Sequence, residues 1–369
     1  MKKLLILLIA VLFLFLLISS SKYILLANTL KMSEGEKGEI SIVYLVSKDN
    51  KYGYISREGE LLYKYDLLNA REFSDGLAAV KINNILKQEC FINSAGKVMF
   101  NRDMDRTGDF YEGMALIWNI KRSNSDLYRT DQINKDLKFG YINKSGKVIV
   151  KPVFREAKEF SDGLAAVKND QNKWGFINKD GKYSIEPKFD YVYSFNDGYA
   201  PVLIDAANNE YSYIDKKGTI VISPDFTSPS VPSEGLIIGS TASSPDTLVC
   251  IDYKGAVVFS IKGDNAGYFK DGLAPVAINN KWGYINKEGR IVINNAFDNV
   301  SNFSDGLAAV QVGEKWGFID KNGKVVINPA YDAVTDFKDG VARVSYIQNS
   351  IETKYAYINK DGDFLWKSW

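Results

Sequence analysis

From about Ile40 to Trp369 the chain alternates short apolar runs with turn-forming residues, and the alternation is periodic. The octapeptide Phe-Ser-Asp-Gly-Leu-Ala-Ala-Val occurs at Phe73–Val80, Phe160–Val167 and Phe303–Val310, with variants that begin at Phe195, Phe269 and Phe337. Asp-Gly or Glu-Gly pairs end at Gly76, Gly113, Gly163, Gly198, Gly235, Gly272, Gly306 and Gly340, with spacings of 37, 50, 35, 37, 37, 34 and 34 residues. A second apolar core follows, clearest at Lys173–Lys179, Lys281–Lys287 and Lys315–Lys321 as Lys-Trp-Gly-aromatic-Ile-Asn/Asp-Lys. A Gly four residues beyond the Ile then opens a third run, as in Gly323-Lys324-Val325-Val326-Ile327.

Each period predicts an antiparallel β-meander. Its strands fall near Leu164–Lys168, Trp174–Asn178 and Lys182–Ile185, and Asp-Gly turns supply the positive φ that tight connections require. In the second strand Trp174 and Phe176 share one face, Gly175 and Ile177 the other, so neither face is polar and both must be covered. Stacking of units sheet against sheet does this, with the small Gly face expected to admit a neighbour's aromatic ring.

Degenerate copies of the second core occur at Lys51-Tyr52-Gly53, Phe139-Gly140-Tyr141, Tyr211-Ser212-Tyr213 and Lys354-Tyr355-Ala356, and counting all second cores gives nine units of about 35 residues. These motifs, with their flanking Asp-Gly-Leu-Ala and Lys-x-Gly elements, resemble the WG (KWG) repeat family of bacterial proteins. The resemblance implies an all-β repeat protein and carries no shared catalytic activity and no set of functional residues. A closed propeller and an open curved solenoid both bury internal faces; nine units exceed the usual four to eight blades, which tilts the expectation towards the solenoid.

Ahead of the repeats, Met1-Lys2-Lys3, the apolar run Leu4–Ile18 and Ser19-Ser20-Ser21 follow the order of a secretory signal. The expected organisation is a hydrophobic helix over residues 1–21, acting as signal peptide or signal anchor, a linker over 22–39, and the repeat domain over 40–369. Export follows, to the cell envelope or the medium, with membrane association if the segment stays uncleaved. The apolar run is short of the ~20 residues of a full span unless it extends through Tyr23–Leu26.

Composition narrows the chemistry. Lys plus Arg (46) and Asp plus Glu (45) balance, whereas a phosphate-tracking surface needs an excess of positive charge, so nucleic acid is not an expected partner. The chain has no histidine, which removes Ser-His-Asp and Cys-His nucleophiles, most zinc sites and the usual general base near neutral pH. Cys90 and Cys250 lie 160 residues apart and read as packed thiols rather than a bridge. No cofactor or metal motif is present.

The 50-residue interval inserts polar residues between the strands near Ala115–Trp118 and Lys138–Ile142, and insertions in repeats fall in loops that often bind. Within it, Lys121, Arg122, Asp126, Tyr128, Arg129 and Asp131 form the candidate binding loop, a tolerated excursion being the competing reading. The recurring Asp75, Asp162, Asp197, Asp271, Asp305 and Asp339 suggest a carboxylate array for calcium or glycan hydrolysis, but a position present in unit after unit is better explained by turn chemistry. The aromatic positions Trp174, Trp282 and Trp316 read as packing rather than a sugar platform. The expected function is a non-catalytic scaffold for a protein or cell-wall ligand. The alternatives are a structural or self-associating envelope component and a carboxylate-only glycan hydrolase.

Overall fold

The computed structural model describes residues 43–82, 89–103, 106–119, 137–204, 211–222, 226, 230–241, 244–348 and 352–369. The N-terminal apolar segment, the linker and the candidate loop Lys121–Asp131 lie outside the described residues. Among the described residues there is no α-helix; every named element is a β-strand, and the strands form eight antiparallel sheets, none closed into a barrel. Nine meanders account for them, because the first sheet, Val43–Asn101, joins two through the shared ten-residue strand Leu61–Ala70.

The chain divides into two compact units, one reaching to Asp109 and including Lys144–Gly146, the other comprising Phe110–Asn143 and Lys147–Trp369. In the first, Tyr54, Leu67, Ala78, Val80, Cys90 and Ile92 make one buried cluster. In the second, each core cluster joins residues of consecutive meanders. Leu307, Ala309 and Phe318 of the eighth, for example, pack on Ala342, Val344 and Ile358 of the ninth. Covering both faces of every sheet is what the two-sided apolar strands demand, and nearest-neighbour burial is the mark of a repeat array.

The fourth meander is representative. Ala165–Lys168 pairs with Trp174–Ile177, which pairs with Tyr183–Phe189, so the strand positions expected from the periodicity are observed. Two features differ from expectation. A short strand, Glu156–Ala157, precedes the first expected one and makes the sheet four-stranded. The third strand also continues to Phe189 by way of a bulge: Trp174 faces Phe189 while Phe176 faces Ile185, so Glu186, Pro187 and Lys188 stand opposite Gly175 alone.

That bulge explains the Gly of the Trp-Gly motif and corrects the expectation that a neighbour's ring fills the space. A Cβ on Gly175 would lie 2.6 Å from the Ile185 carbonyl oxygen and 2.7 Å from the Pro187 nitrogen, and on Gly317 2.6 Å from the Pro329 nitrogen. The occupant is the backbone of the unit's own third strand. The same register shift faces Gly53, Gly140, Gly283 and Gly317. Where the position is Cys90, Val249 or Ala356, the third strand pairs regularly through it. Glycine and bulge therefore occur together, each requiring the other.

Candidate binding surface

The recurring acidic residues occupy a structural role that can be traced atom by atom. Asp75, Glu112, Asp162, Asp197, Glu234, Asp271, Asp305 and Asp339 all have φ between 50° and 58°, the left-handed conformation that Asp tolerates better than most residues. From Glu112 to Asp305 their carboxylates then reach into the following unit. Asp162 accepts from the Gly198 amide at 2.6 Å and from the Lys216 ammonium at 2.8 Å. Asp305 accepts from the Gly340 amide at 2.5 Å and pairs with Lys360 at 2.9 Å. Glu112 takes the Gly163 amide and Lys179, and Glu234 takes the Gly272 amide and Lys287. In the fifth unit Asp197 accepts from the Gly235 amide at 3.2 Å, and the Tyr253 hydroxyl, at 2.5 Å, stands in for the lysine.

These clamps leave the clamping carboxylates occupied. Burial works against the Asp162 carboxylate, but the Lys216 and Gly198 hydrogen bonds and the Lys216 charge outweigh it and hold its pKa below the usual value. Catalytic acids require the opposite displacement, upward towards neutrality. A second set of ties runs from the Lys of Lys-Trp-Gly to the Asp after the third strand: Lys281–Asp298 and Lys315–Asp332, both at 2.5 Å, and Lys173–Asp190. Asp298 and Asp332 also accept the amides of Gly313 and Ile347 in the next hairpin. Among the described residues, no group of acidic, Cys or His side chains is placed to hold a metal ion.

Aromatic repeat positions are similarly used. Phe195 meets Phe176 edge-on at 4.7 Å, and Phe337 meets Phe318 at the same distance. In four units the second-strand ring is a tyrosine whose hydroxyl donates to a carbonyl 17 residues on, Tyr54 to Arg71, Tyr141 to Lys158, Tyr213 to Ser230 and Tyr284 to Ser301. Cys90 and Cys250 are buried free thiols, and burial pushes each up to about 12.

The fifth unit departs from this pattern. At the head of the fifth unit, Tyr191 and Tyr193 stand where aligned units carry Glu156 and Lys158, Asn299 and Ser301, or Ala333 and Thr335. Their rings meet edge-on at 5.3 Å, extend at 6.1 Å to Trp174 on one side and at 6.1 Å to Tyr211 on the other, and are 38% and 36% exposed. The Lys158 ammonium lies 4.6 Å from the Tyr191 centroid, 5.3 Å from Tyr193 and 5.5 Å from the buried Trp174 ring, and donates to the Val192 carbonyl at 2.7 Å. Among the described residues it has no carboxylate partner, and the Trp174 indole N–H has no acceptor. Trp174 itself is packing, as expected, but the four-ring cluster around it was missed. Its signal was available as two tyrosines at positions that are polar or small in the aligned units.

Taken together, the chain is a tandem β-meander array in which carboxylate clamps and, at several junctions, aromatic pairs join consecutive meanders. It belongs to the WG containing repeat family, whose sequence profile matches residues 52–84, 139–173, 174–206, 211–238, 250–282, 282–316 and 316–346, more than half of the chain. No curated protein matches the sequence. Among solved structures, the chain is similar to one described as a eukaryotic initiation factor, at 12% identity and TM-score 0.52, over 88% of this chain and 94% of that one. BamB from Moraxella catarrhalis is aligned at 10% identity and TM-score 0.37, over 76% and 94%. At such identities the first likeness concerns the fold alone.

Proposed function

We propose that the protein is an exported or membrane-anchored scaffold that binds a protein or cell-wall ligand and catalyses no reaction. The observation that carries this reading is the fate of the ionisable groups: the recurrent carboxylates are spent on joining units. With no histidine in the chain, the usual acid–base apparatus is missing from the sequence. Repeat surfaces typically serve recognition, and the N-terminal signal-like segment directs this one out of the cytosol. The test is capture from envelope and culture extracts by the immobilised protein, compared with a version lacking Asn119–Leu137. Saturable capture lost with the deletion, in a protein that stays folded, supports the scaffold and locates its site. Capture that survives moves the site to the repeat surface, and no capture by either rejects the reading.

A second reading, self-association in the envelope, is favoured by one observation. The third strands start with exposed apolar pairs, Val257-Val258, Ile291-Val292 and Val325-Val326, repeated unit after unit on an edge strand. Light scattering that reports a concentration-dependent mass would give it precedence.

A further inference from the structure

We propose that the ring cluster of Trp174, Tyr191, Tyr193 and Tyr211, with Lys158 at its centre, is a binding site for a carboxylate-bearing glycan; this rests on the scaffold reading and gives its ligand a chemistry. A pyranose ring presents an apolar C–H face and a polar rim, and half-exposed tyrosines match both, with a ring for the face and a hydroxyl for the rim. Tyr191 and Tyr193 stand at 81° to each other, forming a corner rather than a flat patch, and each keeps over a third of its surface in solvent. Burial, then the neighbouring Tyr211 and Tyr191, push the Tyr193 phenol above its ordinary pKa, so it stays a neutral donor.

Charge selects the acidic sugar. Nearby ammonium groups are neutralised, Lys168 by Glu156 at 2.7 Å and Lys173 by Asp190. Lys158 is held instead by ring faces, the Val192 carbonyl and, at 3.4 Å, the Tyr191 hydroxyl, none of them charged, which leaves its positive charge for a ligand anion. Tyr191 and Tyr193 replace residues that are polar or small in the aligned units, which argues against packing as their purpose. Aligned units do without these rings, and Glu156, Asn299, Ser301 and Thr335 occupy the same places in stable meanders.

The test titrates the full chain, by calorimetry and affinity electrophoresis, with polygalacturonate, its fully methyl-esterified form and neutral dextran. Expected is saturable binding of polygalacturonate, at least tenfold weaker binding of the esterified form, and none of dextran. Tyr191→Asn and Tyr193→Ser copy residues other units carry and so preserve the fold; each should weaken binding tenfold or more. Lys158→Met should erase the preference for the free acid, and Tyr183→Ala, an exposed ring at the far end of the third strand, should change nothing. Equal binding of acid and ester, or binding indifferent to Tyr191→Asn and Tyr193→Ser, overturns the proposal. Absent glycan binding alongside positive capture from extracts overturns the glycan site alone and points to a protein ligand; failure of both assays rejects the scaffold reading as well.

Discussion

Replacing Gly175 by Ala is the sharpest test of how the repeat is built. The added Cβ would sit 2.6 Å from the Ile185 carbonyl oxygen, 2.7 Å from the Pro187 nitrogen and 2.9 Å from the Glu186 carbonyl carbon, all backbone atoms with no rotamer to relieve them. Ordinary contact begins at 3.4 Å, so the third strand must retreat by about 0.8 Å. It is fixed at both ends by the pairs Trp174–Phe189 and Phe176–Ile185. Overpacking of this kind costs about 1–3 kcal/mol, offset by up to about 1 kcal/mol from the lower entropy of the unfolded Ala chain. The expected net loss is about 1–2 kcal/mol, or about 2–8 °C in Tm for a unit of this size. Urea and thermal unfolding followed by tryptophan fluorescence would measure it. Deleting two of the three bulge residues Glu186, Pro187 and Lys188 in the Ala variant should restore the regular register seen opposite Ala356 and recover stability. An Ala variant as stable as the parent, or one that the deletion does not rescue, would refute the coupling of glycine to bulge.

Three further outcomes follow from the packing and the clamps. Asp162→Asn should lower stability by about 1 kcal/mol near neutral pH, since its partly exposed Lys216 pair is screened and the Gly198 amide keeps a weaker acceptor. Because the folded carboxylate has a depressed pKa, its contribution is present above the unfolded value of about 3.8 and is lost as pH falls through the lower folded value. The parent and variant curves should therefore converge in acid, which a pH series of urea midpoints would record. Tyr284→Phe should cost about 1 kcal/mol by leaving the Ser301 carbonyl without its 2.6 Å donor, readable in the same unfolding assay. Cys90 and Cys250 should resist thiol reagents in the native protein at pH 8 and react on unfolding. Their raised pKa implies stability that is complete below about pH 9, where the unfolded thiols are still protonated, and declines as pH rises towards about 12.

Much of the fold was legible in the sequence because the stacking unit is also the period. Each Asp-Gly turn and each Trp-Gly strand recurs with its partner at fixed separation, so the meander order and the count of nine could be read directly. The Glu156–Ala157 strand was not legible, since two residues make no apolar run. The bulge left a trace that was overlooked: Pro152, Pro187 and Pro329 lie in third strands that pair on both sides of the bulge, and proline within a strand marks an irregularity. The clamps were harder, because local turn chemistry already accounts for an Asp before Gly. The second role of Asp162 depends on Gly198 and Lys216, 36 and 54 residues away, which only the stacking brings together. Tyr191 and Tyr193 are hidden differently, because they interrupt the repeat instead of belonging to it, and the period carries no information about a position that departs from it.

On the proposed function, the array recognises a ligand without transforming it. The direct measurement incubates the full chain with insoluble cell-wall glycan and follows two quantities together, the fraction of protein retained and the reducing ends released. Saturable retention with no release above the protein-free rate is the predicted result. Release of reducing ends that stops after a single change such as Asp162→Asn or Asp305→Asn, in a variant that remains folded, would contradict it and return the carboxylates to catalysis.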